Sequence, residues 1–150
     1  MRGCGRCRWL SFWRADLAQD CAIDLTWAAA ISSAIGDQAA ALEPSRRAIH
    51  GLQWGGDRIR AGLVLHMIAG AFAATRPDAA AIIQGAAQAH AIGPAGRIVQ
   101  LSSDLAAALG EERARELHAR GADMNWDQAI AYTLSQITKA LNELESGAHP

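Results

Sequence analysis

The stretch from Asp57 to His90, DRIRAGLVLHMIAGAFAATRPDAAAIIQGAAQAH, constrains the fold more than any other part of the chain. In its first arm Ile59, Leu63, Met67 and Ala71 recur every four residues beside a second row of Val64, Ile68 and Phe72. That apolar face is wider than the stripe of a surface helix, so the arm has to be mostly covered by neighbours. A third row, Gly62, His66 and Gly70, has the same spacing. Two of its members lack side chains, which lets a neighbouring backbone approach closely at a helix-propensity cost of about 1 kcal/mol per Gly. The arm ends at Thr75-Arg76-Pro77-Asp78, which reads as a capping box. Thr75 would accept from the next helix's first amides, Asp78 would reach back, and Pro77 sits where a missing N–H costs nothing. The second arm, Ala79 to Ala91, turns Ile82, Ile83 and Ala86 inward and stops at Gly93-Pro94.

This helical hairpin sets the class of the whole chain. The apolar content of 51% is carried largely by Ala, with two Phe and one Tyr, a composition that suits closely packed helices better than sheets. No run of alternating β-branched residues bounded by turn dipeptides occurs, so an all-α fold is expected. At 150 residues the chain fits one domain, with about two thirds of its unfolded surface available for burial.

Residues 1–13 read as an irregular start and 14–146 as a helical domain. Its hairpins span about 14–50, 57–91 and 97–121, a final helix runs over 126–146, and 147–150 form a frayed tail. In the first hairpin Leu17, Cys21, Leu25, Ala28 and Ser32 share one side, with Ile23, Trp27 and Ile31 beside them; Gly36-Asp37 interrupts the pattern. A helix from Gln38 to His50 follows, in which Pro44 is tolerated if the helix kinks or starts late. Gly51, Gly55 and Gly56 then make a loose link that holds Trp54. This first hairpin matches the 57–91 hairpin at an offset of 40 positions: Leu25 falls on Leu65, Ala29 on Ala69, and Ala39 to Leu42 on Ala79 to Ile82. Helix-turn-helix units at such a period predict antiparallel helical hairpins stacked as a short tetratricopeptide-like α-solenoid. Ile98, Leu101, Leu105 and Ala108 line a helix ending at Gly110; Glu111 and Glu112 open the next, and Gly121 closes it. Asn125 with Gln128 starts the last helix, whose inward row is Trp126, Ile130, Leu134, Ile137, Leu141 and Leu144. Its outer face, Asp127, Gln128, Gln136, Lys139, Asn142 and Glu143, is expected in water.

The sequence encodes no recognisable catalytic centre. A phosphate-cradling loop would need GxxxxGK[ST], and the single Lys, Lys139, stands in the last helix. HExxH, GxSxG and repeated Glu-x-x-His patterns do not occur, so no catalytic residue, cofactor or metal is expected. Cys4-Gly-Arg-Cys7 is a lone CxxC without the second ligand pair of a zinc site or the strand and helix of a redox site. With Cys21 the cysteine count is odd, which argues against a disulfide framework. Arg2, Arg6, Arg8 and Arg14 sit in a start without acids and leave the remainder net acidic, which disfavours contact with nucleic acid. The segment Trp9 to Trp13 is too short for a signal-peptide core, and the longest apolar stretch, Ala61 to Thr75, is too short to cross a bilayer. No membrane contact and a cytoplasmic location are expected.

The residues left for function are those that contact a partner. His66 lies between two glycines on one row; the plain reading is a core or groove histidine bonded to a neighbour, and the functional one a ligand contact or pH-sensitive group. Glu111, Glu112, Glu116 and His118 contain an acid and a base, but paired acids at a helix start are matched to its dipole. Trp54 is a candidate exposed anchor or a cap on the core. Trp54, Gly62, His66 and Gly70 are therefore the candidate partner-binding residues.

Leu109-Gly110-Glu111-Glu112-Arg113, then Leu117-His118-Ala119-Arg120-Gly121-Ala122 and Met124-Asn125-Trp126-Asp127-Gln128-Ala129-Ile130-Ala131-Tyr132, resemble the C-terminal end of large bacterial signalling regulators. These join a class III adenylate or guanylate cyclase-like domain, or a LuxR-type DNA-binding domain, to a STAND-type ATPase and a long tetratricopeptide-like region. The hairpins at 34–42 and 74–84 are similar to the repeats just upstream of that ending, so the likeness covers roughly 27–144. The family's catalytic, nucleotide-binding and DNA-binding residues belong to domains that match nothing here, and none is carried over. The resemblance implies a non-catalytic, regulatory protein-interaction module for a protein or peptide partner, stand-alone or truncated, with a homodimer through the exposed repeat edge as an option. The alternative is a fragment of a LuxR-type transcriptional regulator or an adenylate cyclase whose active domains lie outside these residues.

Overall fold

The computed structural model describes residues 21–147 except 23, 30–31, 33–36 and 91–94, with the backbone alone at 38–39, 54–55 and 95–98. The basic start, Cys4-Cys7, the Trp9 to Trp13 segment and the Gly93-Pro94 stop lie outside the described residues. Helical backbone at 21–22 and 24–29 precedes six helices: α1 (Gln38–Gly55), α2 (Arg58–Phe72), α3 (Pro77–His90), α4 (Ala95–Leu109), α5 (Glu111–Ala122) and α6 (Trp126–Gly147). Among the described residues there is no strand, and the expected all-α class holds. No helix of the described residues is long and apolar enough to cross a membrane.

Side-chain caps start three of the helices. Asp37 accepts from the Ala40 amide at 3.0 Å to open α1, and Asp57 accepts from the Arg60 amide at 3.0 Å to open α2. Asn125 and Gln128 close a reciprocal box at the start of α6, each side chain accepting from the other's amide at 2.9 Å. Each of these bonds satisfies an amide that a helix start leaves without a partner. The expected box at α3 takes another form. Pro77 is the first helical residue and Ala80 donates to the Arg76 carbonyl, while the Asp78 carboxylate accepts from Arg113 Nε at 3.3 Å.

α1 runs past the expected end at His50, through Gly51, and carries Pro44 inside it. Trp54 therefore belongs to the last helical turn rather than to a loose link. The reason is tertiary: Ile49 and Leu52 are fully buried, and burying two such side chains, worth about 1.5–3 kcal/mol each, outweighs roughly 1 kcal/mol of glycine propensity. The helix stops at Gly56, whose φ of 70° is the left-handed conformation that glycine adopts at no steric cost.

α3 is the centre of the packing. All residues from Ala79 to Ala87 are buried, and α3 touches α2, α4, α5 and α6. Its closest neighbour is α5. A Cβ on Gly85 would stand 2.0 Å from the His118 carbonyl oxygen, and one on Gly121 would stand 1.9 Å from the Ile82 carbonyl oxygen. The two glycines thus let the backbones meet where Ala would hold them apart. Gly121, expected only to end a helix, is a packing residue inside it.

Two expected faces are rotated. In α2 the buried residues are Ala61, Gly62, Val64, Leu65, Ile68, Ala69, Ala71 and Phe72, while Ile59 at the head of the first expected row is 64% exposed. In α6 the buried set is Ala129, Ile130, Thr133, Gln136, Ile137 and Ala140. Gln136 therefore points inward, and Leu144 is 48% exposed. Among the described residues α6 packs mainly against α1 and α3, so its buried arc lies between them. Contact between α1 and α6 also shows that packing is not confined to helices adjacent in the chain.

Candidate functional site

Gly62, His66 and Gly70 follow one another at single-turn spacing along α2, but their surroundings differ. Gly62 is buried, His66 half-buried and Gly70 exposed. Among the described residues no neighbour lies within 4 Å of where a Gly70 Cβ would be, so none of their backbones comes close there. His66 Nε2 is buried with no hydrogen-bond partner among the described residues, a departure from the bonded histidine expected there. Burial lowers its pKa below the ordinary imidazole value because charging the ring would strand a cation away from water. Trp54 stands in the last turn of α1, a separate element, and its side chain lies outside the described ones.

Of the acid and base residues weighed from the sequence, His118 ties two helices together, as do several other polar side chains. His118 on α5 donates from Nε2 to Gln88 Oε1 on α3 at 2.9 Å, and burial lowers its pKa too. Glu116 lies 3.7 Å from Arg113, whose Nε meets Asp78. His90 Nε2 donates to the Met124 carbonyl at 2.6 Å, which pins the end of α3 to the turn before α6. Buried Gln84 donates to Ser102 Oγ at 2.9 Å and so joins α3 to α4. Among the described residues no three His, Cys, Asp or Glu side chains are grouped as metal ligands.

Two clefts open on the surface of the helical body. The first, about 200 Å³, lies where α1 ends and α2 and α6 begin, and is lined by Leu52, Gln53, Asp57, Arg58, Trp126 and Asp127. Two of its charged groups, Asp57 and Arg58, are already engaged. Asp57 caps α2 and pairs with Arg60 at 2.9 Å, and the Arg58 guanidinium lies 5.9 Å from the centre of the Trp126 ring. Trp126 in turn meets the edge of His90 at 5.8 Å.

The second cleft, about 230 Å³, lies between the start of α1, the end of α2 and the last turns of α6. Leu42, Ala71, Phe72 and Ala140 form a buried apolar floor, and the half-exposed Leu144 forms one wall. Thr75 and Arg76 stand at its rim, where Arg76 Nη2 donates to Glu143 across the opening. None of these residues stands out in the sequence as a site. Leu144 reads there as the last member of a core row, and Arg76 as a turn residue before a proline. The groove arises only because α6 lies across α1, a contact between segments far apart in the chain. No family model matches this chain, and no curated protein or solved structure matches it either.

Proposed function

We propose that this chain is a non-catalytic helical-repeat module, tetratricopeptide-like in its hairpins, that binds a protein or peptide and acts in cytoplasmic regulation. The observation that carries the reading is the second cleft. It is an apolar floor open to water between three helices, with an exposed Leu144 at its edge, the kind of concave apolar surface on which a partner's side chain gains most from leaving water. Support for the repeat architecture comes from the α2–α3 and α4–α5 helix pairs, each with a short connection and direct packing. The α1–α6 contact departs from a simple open solenoid, in which a unit touches only its neighbours. The resemblance to the helical tail of signalling regulators points the same way.

The test is to pan a random peptide library against the full chain and map any enriched peptide by amide chemical shifts. Shifts should concentrate at Leu42, Phe72, Arg76, Ala140 and Leu144, and Leu144→Asp should stop the enrichment without loss of helical signal. A chain that enriches no peptide, or one whose shifts gather elsewhere, would overturn the proposal.

A further inference from the structure

The groove between α1, α2 and α6 has a composition that selects among peptides. Its volume of about 230 Å³ exceeds the roughly 150 Å³ that holds a benzene ring in an apolar cavity, so one bulky side chain fits over the floor of Leu42, Ala71, Phe72 and Ala140. Among the described residues the charged groups lining it are Arg76 and Glu143, and their burial is unequal. The Arg76 side chain is 19% exposed and that of Glu143 is 71% exposed.

That inequality decides which charge an occupant should carry. A basic group would have to draw Glu143 away from Arg76. It would gain an exposed ion pair worth little and leave a largely buried guanidinium without a counter-charge. An acidic group meets the more buried partner, where charge-assisted bonds are strongest. The guanidinium has five N–H donors and spends Nη2 on Glu143, so donors remain. The exposed Thr75 hydroxyl adds one more at the same rim. Glu143, if displaced, is already in water and has Lys139 one turn back on α6, at the spacing of helix-surface neighbours.

We infer that this groove binds a peptide segment in which a bulky apolar side chain stands next to an acidic one, with Arg76 as the residue that selects the acid. This rests on the interaction-module reading and narrows its partner class.

The probe is a fluorescein-labelled decapeptide with Phe-Glu at its centre among Ser and Ala, compared by anisotropy with its Phe-Gln, Phe-Lys and Ser-Glu counterparts on the full chain. Phe-Glu should bind about tenfold more tightly than Phe-Lys and more tightly than the other two, with a preference that fades as salt rises. Arg76→Gln should level Phe-Glu with Phe-Gln. Glu143→Gln removes the internal competitor and should tighten Phe-Glu binding, a gain that a merely structural pair would not show. Helical signal and melting of both variants keep a folding defect separate from a binding one. If Phe-Lys binds as well as Phe-Glu, or Glu143→Gln weakens Phe-Glu binding, the inference is wrong while the interaction reading stands. If none of the four peptides binds and the library also yields nothing, both fall.

Discussion

Gly121 on α5 sits so close against Ile82 on α3 that a Cβ there would stand 1.9 Å from the Ile82 carbonyl oxygen and 2.9 Å from the Ala86 amide nitrogen. The obstacle is backbone, which cannot swing aside as a side chain can. Overpacking of this kind costs about 1–3 kcal/mol, and the upper part of that range exceeds the roughly 1 kcal/mol that Ala returns in helix propensity. Gly121→Ala and Gly85→Ala should each lower the melting temperature by several degrees, at about 2–4 °C per kcal/mol for a chain of this size. Gly70→Ala should do the opposite, because its Cβ would meet none of the described residues. Thermal melts of the three variants decide the matter, and a stabilised Gly121→Ala would refute the close crossing.

Stability should fall with mild acid. Burial holds the pKa of His66 and His118 below the ordinary imidazole value of 6.5. As pH drops, the unfolded chain therefore takes up protons before the folded one does. Their contribution is complete above about 6.5 and is lost progressively as pH descends toward the lowered folded values. Melting curves between pH 7.5 and 5 should shift downward, and the shift should shrink in a His66→Leu, His118→Gln double variant. An unchanged slope in that variant would show that other groups dominate.

The Asn125–Gln128 box should contribute measurably to the last helix. Asn125→Ala removes a side-chain acceptor for the Gln128 amide and should cost about 1 kcal/mol in urea unfolding. Gln128→Ala should cost less once Asn125 is already Ala, since the two bonds form one reciprocal unit.

Two aspartates on α6 should part company. Ile130 is 2% exposed in the core, so Ile130→Asp strands a charge there and should unfold the chain at ordinary temperature. Leu144→Asp places its charge at a half-exposed groove edge and should leave circular dichroism and melting within about 0.5 kcal/mol of the parent. Equal loss of fold in both would contradict the rotated face of α6.

The sequence by itself determined the helical class, the break at Asp57, the turn at Pro77 before α3, the end of α4 at Leu109 and the Asn125 box. Each depends on local chemistry: a side chain that caps its own helix, a proline without an amide, a glycine free of Cβ strain, a period of apolar residues. The spacing of apolar residues also showed that α2 has a wide apolar face and α6 a single apolar row. It did not show which edge of each face meets water, since that depends on how many helices flank it, and Ile59 and Gln136 fell on the wrong side. The tertiary structure alone decided that α1 continues to Gly55, that Gly85 and Gly121 mark a close backbone crossing while Gly70 does not, and that His66 Nε2 lacks a described partner. It also decided that Arg76, Leu144 and Leu42 share one groove. Those residues come from three segments brought together by the lie of α6 over α1, and a relation between distant segments leaves no period, cap or motif in the chain for a local pattern to reveal.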